Sequence, residues 1–350
     1  MKKTYLFCLF AALSTLLSAC SSSAPPTGST AVKTEETTAA IAEEKPSEPA
    51  AAWKPTQNIE VAVSAKAGGG ADLWARAVTN AISANHLSDV SWIVNNYPGG
   101  GSAVGYNYVM NQSGNDHCLL SLAISGCISS YMSEWDTTWE EMIQPCFMLA
   151  MDDVTLCTKA DGPYQTIEDL LETARTNPGT IRFGSDQRNN SSQYGFEMLR
   201  EYAGADMNYV QFDSSGDAAT ALLGGHVDCA ILNPSECIGQ VESGDFLPVV
   251  TFATERLGGV FADTPTFSDI GYPQITFREF RGMAVPIGTS REVMEYYAEI
   301  GRQLMDTPEM QDYFTKNYLT PCYMGIDEAN DYVKSSIDNI VGLFRSLPES

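Results

Sequence analysis

Basic side chains are scarce in this sequence: 20 Lys and Arg stand against 44 Asp and Glu over 350 residues, a net charge of −24. That balance repels a polyanion and removes nucleic acid as a partner. Histidine is scarcer still, with only His86, His117 and His226, and no Cys-x-x-Cys pair occurs. The usual ligand spacings of zinc and redox centres are therefore missing, and no metal or cofactor is implied. Gly-x-Ser-x-Gly is absent and none of the three histidines lies in a recognisable catalytic motif, so an enzyme is the least supported function class. Seven cysteines follow Cys20, at 118, 127, 146, 157, 229, 237 and 322. Their number is odd and most sit in apolar runs, which suits small buried core residues.

Met1, Lys2 and Lys3 precede an apolar run to Leu17, too short for a dependable spanning helix, and the run ends in Leu17-Ser-Ala-Cys20. This is the layout of a secretion signal (residues 1–19) with a lipoprotein cleavage site that leaves Cys20 acylated. An ordinary signal peptide with a chance cysteine is the other reading. The expected location is extracytoplasmic, anchored to the bacterial cell membrane, with the bilayer a partner through Cys20. Residues 20–53 are mostly Ser, Thr, Ala, Pro and Glu. Such a stretch buries too little to offset its ordering entropy, so a disordered tether is expected. Cleavage takes away two lysines and no acid, moving the net charge from −24 to −26. About 300 residues remain, more than one core usually spans, and two lobes are expected.

The most informative stretch begins with an apolar strand, Ile59 to Val63, that runs into Lys66, Ala67 and the glycines Gly68, Gly69 and Gly70. A helix then opens with Asp72 in its first turn and Leu73, Ala77 and Ala81 at helical spacing. Glycines let backbone N–H groups approach a ligand, and the unsatisfied first-turn donors favour an anion. A tight turn that binds nothing has the same sequence. A second copy follows: the strand Val90 to Tyr97, then Pro98, Gly99, Gly100 and Gly101 before another helix. Two such loops on neighbouring strands meet at the C-terminal edge of an open sheet, where ligands bind. Neither is a phosphate loop, since no Gly-Lys-Ser/Thr follows, and Gly99, Gly101 and Gly105 are one residue too widely spaced for the dinucleotide fingerprint.

These turns resemble the signature turns of the substrate-binding proteins of tripartite tricarboxylate transporters, the Bug/TctC family. Gly68, Gly69, Asp72, Ala75 and Arg76 match the first turn, and Asn96, Pro98, Gly99 and Gly101 the second. The similarity continues in order through Val249 to Ala253, Arg256, Pro265-Thr266 to Gly271, and the strand from Phe280 to Pro286. It implies an α/β, bilobal periplasmic-binding-protein-like fold (type II): two doubly wound α/β lobes joined by a two-crossing hinge. Lobe 1 is expected over residues 54–153 plus 277–350 and lobe 2 over 154–276, with closure about crossings near residues 151–155 and 274–280.

The rhythm of strands and helices continues through lobe 2. A capping box opens a helix at Thr166, and strands are expected at 154–159, 180–184, 209–213 and 227–232. Between 180–184 and the next helix lies a polar loop containing Ser185, Arg188, Asn190 and Ser191, a third candidate contact region. The family's turn here is glycine-rich and helps hold the ligand's distal end. This sequence keeps Ser185 but places Gln187 and Asn189 at the glycine positions, so the resemblance implies a different distal half. Asp213 and Asn233 end the strands that follow. Three helices are expected to close the chain, with apolar stripes that are core faces.

The resemblance supplies the function class: a solute-binding protein, monomeric, taking a small di- or tricarboxylate on the backbone donors of the first two loops and passing it to membrane subunits. A receptor-coupled sensor with the same pocket is the alternative, and a secreted α/β enzyme the remote one. A strongly negative chain opposes capture of an anion. Lys66 and Arg188 either offset that field in the pocket or are solvated surface cations. A neutral or zwitterionic ligand, paired with Asp72, Asp186 or Asp213, also stays open.

Overall fold

The computed structural model describes residues 53–346. The signal segment, Cys20 and the tether lie outside the described residues, apart from Trp53. That residue does not belong to a tether: its ring meets those of His117, Tyr296 and Tyr297 at 5.5, 5.2 and 5.7 Å, and its backbone N–H donates to Glu292 Oε1.

The chain begins β1 (Ile59–Val63), α1 (Gly70–Ala84), β2 (Trp92–Asn96), α2 (Ala103–Met110), β3 (Cys118–Ala123), α3 (Ile124–Met132), α4 (Trp139–Met142) and β4 (Ile143–Asp152). It continues as β5 (Thr155–Lys159), α5 (Ile167–Thr176), β6 (Arg182–Ser185), α6 (Ser191–Ala203), β7 (Asn208–Gln211), α7 (Ser215–Leu223), β8 (Cys229–Leu232), α8 (Pro234–Ser243) and β9 (Phe246–Thr251). It ends with β10 (Glu279–Pro286), α9 (Arg291–Leu304), α10 (Pro308–Lys316), β11 (Thr320–Met324) and α11 (Ile326–Ser346). Two sheets result, with strand orders β11-β4-β10-β3-β1-β2 and β7-β6-β8-β5-β9.

Each sheet mixes strand directions. In the first, β1 lies parallel to β2 and β3, while β10 runs antiparallel between β3 and β4. In the second, β6 is parallel to β7 and β8, and β5 runs antiparallel to β8 and β9. Parallel neighbours need a helical crossover, and the α1, α2, α6 and α7 segments supply it. The buried centre of the first sheet is β10, every residue of which is buried. At Gly282 an added Cβ would meet Phe147 O at 2.4 Å, so only glycine lets β4 approach so closely.

The chain passes from the first sheet to the second through Asp153 and Val154 and returns through residues 252–278. The two crossings are bonded to each other: Phe252 N–H and Thr251 Oγ1 both donate to Val154 O at 3.0 Å.

Several expectations need correcting at the level of elements. The buried face of α1 is Trp74, Ala75, Val78, Ala81 and Ile82, whereas Leu73 is exposed. Leu73 has turned away from the core toward the cavity described below. Helix α3 follows β3 without a loop, at a place where sequence gave no start signal, because Ala123 caps it with no side-chain bond. The last three helices are interrupted by β11, whose exposed Thr320 and Pro321 hide its pairing with β4.

Candidate functional site

A cavity of about 900 Å³ lies where the loops after β1, β2 and β3 meet those after β6, β7 and β8. Helices α1, α2 and α3 all point their N-termini here, and none has a side-chain cap. Elsewhere caps are in place: Thr166, Ser290 and Thr307 accept from the third residues of α5, α9 and α10. A helix start with no cap leaves its first donors open to a ligand. Among the described residues, the N–H groups of Gly70, Ala71, Gly100 and Gly101 donate to no protein acceptor.

The first loop is held from behind. Gly68 has φ +85, and its N–H donates to Asp72 Oδ2 at 2.8 Å. The same carboxylate takes Arg76 Nε at 3.0 Å and Asn96 Nδ2 at 2.9 Å, and Asn96 also donates to Ala65 O. Burial opposes the charge of Asp72, but these bonds prevail and hold its carboxyl below the usual range. Asp72 is 2% exposed and does not line the cavity; it ties the first loop to β2.

The second loop is a run of left-handed residues: φ is +126, +59 and +61 at Gly99, Gly100 and Gly101, and +81 at Ser102. Glycine tolerates that run, and Ser102 takes the same conformation without glycine's freedom. Gly105 brings the two loops together, since a Cβ there would lie 2.6 Å from Ser64 Cβ.

Lys66, Ala67, Gly68, Gly69, Gly70, Pro98, Gly99, Gly100, Gly101, Asn190, Ser191, Asp213 and Asn233 all line the cavity. Ser185 and Arg188 do not. Ser185 is fully buried and accepts from Tyr209 Oη at 2.8 Å, and Arg188 lies over the Tyr209 ring at 5.3 Å. Asn190 caps α6, accepting from Gln193 N–H, and donates to Asp186 Oδ1 at 2.7 Å. Lys66 spans the cavity mouth to Asp213 at 3.3 Å, both side chains largely exposed.

The cavity floor is a charged network that sequence reasoning missed. Arg281, 5% exposed on β10, donates through Nε to Asp152 Oδ2 at 2.9 Å and approaches Glu279 Oε2 at 3.1 Å. Glu279 also accepts from Ser191 Oγ at 2.5 Å and Asn233 Nδ2 at 3.4 Å. In the first turn of α8, Glu236 accepts from Ser215 Oγ at 2.6 Å and from Asn233 N–H at 3.2 Å. Burial pushes the Asp152 carboxyl up to about 6 against the pull of Arg281. Burial, with Asp186 and Glu279 nearby, pushes Glu236 up to about 7, and burial raises Asp186 too. Two signals were available in the sequence: charges at Glu279 and Arg281 alternating inside an apolar strand, and Glu236 three residues after Asn233.

The sequence profile described as "Tripartite tricarboxylate transporter family receptor" matches residues 75–345. A Cupriavidus necator relative, "UPF0065 protein in gbd 5'region", is 22% identical over 295 residues, 84% of this chain and 88% of its own. Among solved structures, MatC from Rhodopseudomonas palustris with bound malate is 17% identical with a TM-score of 0.73, covering 83% of this chain and 99% of that one. A second R. palustris protein, with adipate, is 18% identical with a TM-score of 0.75, covering 83% and 97%. Both share the fold of this chain. The family profile spans most of the chain, and the chain belongs to the tripartite tricarboxylate transporter receptor family.

Proposed function

We propose that this chain is an extracytoplasmic solute-binding lipoprotein, not an enzyme, that captures a small carboxylate in the cleft and delivers it to the membrane subunits of a tripartite tricarboxylate-type transporter. The supporting observation is the convergence of three uncapped helix starts on one cavity. Several aligned amides with helix termini behind them hold a carboxylate without an arginine clamp. Malate and adipate in two proteins of like fold are in keeping with that reading. Lobe 1 (residues 54–153 plus 277–350) and lobe 2 (residues 154–276) close about the two crossings, and the protein acts as a monomer. Anchoring is proposed on Leu17-Ser-Ala-Cys20 alone.

A thermal-shift screen of the chain from residue 53, against mono-, di- and tricarboxylates, amino acids and nucleotides, tests the proposal. A ligand at a hundredfold excess over its Kd adds about 2.7 kcal/mol, several degrees in Tm. Shifts confined to ligands that bear a carboxylate support it. Shifts only with nucleotides or amines would end it. Release of the full-length protein from the membrane on Cys20→Ala tests the anchor.

A further inference from the structure

Two of the buried thiols meet. Cys157 on β5 and Cys237 near the start of α8 are 80 residues apart in sequence, and their sulfurs lie 4.0 Å apart. Both are fully buried, in the small apolar core on one face of the second sheet. No other two thiols are hydrogen-bonded to each other among the described residues: Cys127 meets Tyr106 Oη, and Cys146 donates to Met294 O. Cys229 stands opposite Thr158 in the register of β5 with β8, so it faces the other side of the sheet from Cys157. Among the described residues no group of three or more His, Cys, Asp or Glu could hold a metal, so the pair lacks the further ligands a thiolate metal site needs.

The contact bears on the cavity because of how α8 is held. Of its ten residues only Pro234 and Cys237 are buried, so the Cys237 side chain supplies much of the helix's hold on the sheet. The same turn carries Ser235 and Glu236 to the cavity wall, where its cap, Asn233, also lies. Strand β5 is an element of the opposite kind: it runs between β8 and β9, and every residue but Lys159 is buried. Bonded sulfurs sit about 2.05 Å apart, so the pair has about 2 Å to close. A helix with so small a buried face can shift by that amount. The Cys237 S–H gives up only its bond of 3.4 Å to Asn233 O, one turn back.

We propose that Cys157 and Cys237 are a modification site: they form a disulfide that clamps the start of α8, and with it one wall of the cavity, to the buried strand β5. The bond forms within the second sheet and its helices, whichever ligand the cavity takes. The oxidant is a second disulfide, small or protein-borne. One thiolate of the pair attacks it and releases a thiolate; the other protein thiolate then attacks the mixed disulfide and releases the second. The two protein thiols lose two electrons and two protons, and the oxidant takes up both as it becomes two thiols. In the folded chain the neighbouring Cys157 sulfur and burial push the Cys237 thiol well up, and a neutral, enclosed thiol is a poor nucleophile. Exchange therefore belongs to the folding chain, before α8 closes over β5.

The test begins with the full-length chain, unfolded under reducing conditions and refolded in a mixture of oxidised and reduced glutathione. Free thiols are then blocked with N-ethylmaleimide in denaturant, and the digest is read by mass spectrometry. The expected product is a peptide pair joined through Cys157 and Cys237, with Cys118, Cys127, Cys146 and Cys229 carrying the blocking group. Closing a loop of this length restricts the unfolded chain, so the oxidised protein should melt about 5 °C or more above its reduced form. Amide hydrogen exchange across residues 234–243, the span of α8, should slow by about tenfold or more on oxidation. Cys237→Ser should remove the joined peptide and make Tm independent of the glutathione ratio. Cys157→Ala should do the same, and the wild-type measurements decide the matter even where neither variant folds. N-ethylmaleimide on both Cys157 and Cys237 after refolding in excess oxidised glutathione would overturn the proposal. So would a joined pair that melts no higher than the reduced protein, since a bond that strains the fold is not a clamp.

Discussion

Arg278 on the returning crossing grips Asp153 on the outgoing one through two parallel bonds, Nε to Oδ1 at 2.7 Å and Nη2 to Oδ2 at 2.6 Å. Asp153 is 1% exposed, and Arg278 also donates to Thr320 Oγ1 on β11. Removing one partner of such a pair leaves a buried charge without compensation. Arg278→Ala is therefore expected to destabilise the protein by about 3 kcal/mol or more in urea unfolding. Replacing both, as Arg278→Met with Asp153→Asn, should recover a large part of that loss, with a coupling above about 1 kcal/mol. Additive effects would show that the pair does not act as a unit.

Gly105 sets the distance between the two glycine loops. A Cβ there would fall 2.6 Å from Ser64 Cβ and 2.7 Å from Ser64 Cα, and backbone cannot rotate aside as a flexible side chain can. Gly105→Ala is expected to cost about 1–3 kcal/mol through forced separation of α2 from the first loop. Ligand affinity should fall by about tenfold or more, since misplaced amides no longer converge. Chemical denaturation and calorimetry on the same preparation separate the two effects. Unchanged affinity would mean that the second loop is not a ligand contact.

The cations at the site differ in their expected effect. Lys66 and Asp213 have side-chain exposures of 60% and 83%, so their bridge across the mouth is worth less than about 1 kcal/mol and is screened by salt. Lys66→Ala should weaken binding by less than about fivefold at low salt and by nothing measurable at 0.5 M. Arg188 lies over Tyr209, away from the cavity lining, and Arg188→Ala should leave Kd within about twofold. A large loss with Arg188→Ala would place that side chain on the ligand after all.

What the sequence disclosed and what it hid have separate physical causes. Strand, glycines and helix from Ile59 to Ala84 follow local rules, with turn chemistry and period visible within a short window. So does the Thr166 cap, whereas the bilobal architecture was implied by the family resemblance, with two lobes expected from a length of about 300 residues. The charged floor was not. Arg281 meets Asp152 across 129 residues, and nothing local to either announces the other. Helix α3 escaped because it has no cap residue, the same property that leaves its first turn open to the cavity. Arg188 looked like a pocket cation because it stands in a polar loop, but loop membership does not fix direction, and the Tyr209 ring draws it away.

Asp152 beneath the cavity and the half-buried Glu236 and Asp186 that line it also give the ligand-free protein an inverted pH response near neutrality. Burial raises Glu236 to about 7, Asp152 to about 6 and Asp186 in the same direction, from ordinary values of 4.5, 3.8 and 3.8. For a raised carboxyl the folded state keeps a proton that the unfolded chain has released. Stability therefore falls as pH climbs from about 4.5 to about 7, and the loss is complete above the folded values. Asp72, Asp228 and Glu60 act the other way: their carboxyls are held below the usual range, so their contribution disappears as pH drops under about 4. Tm of the ligand-free protein should then peak near pH 5 and decline toward pH 8. Glu236→Gln has no charge to bury; it should raise Tm at pH 8 and change it little at pH 5. A Tm that rises steadily from pH 5 to 8 would show that these acids are not buried as charges in the ligand-free cavity.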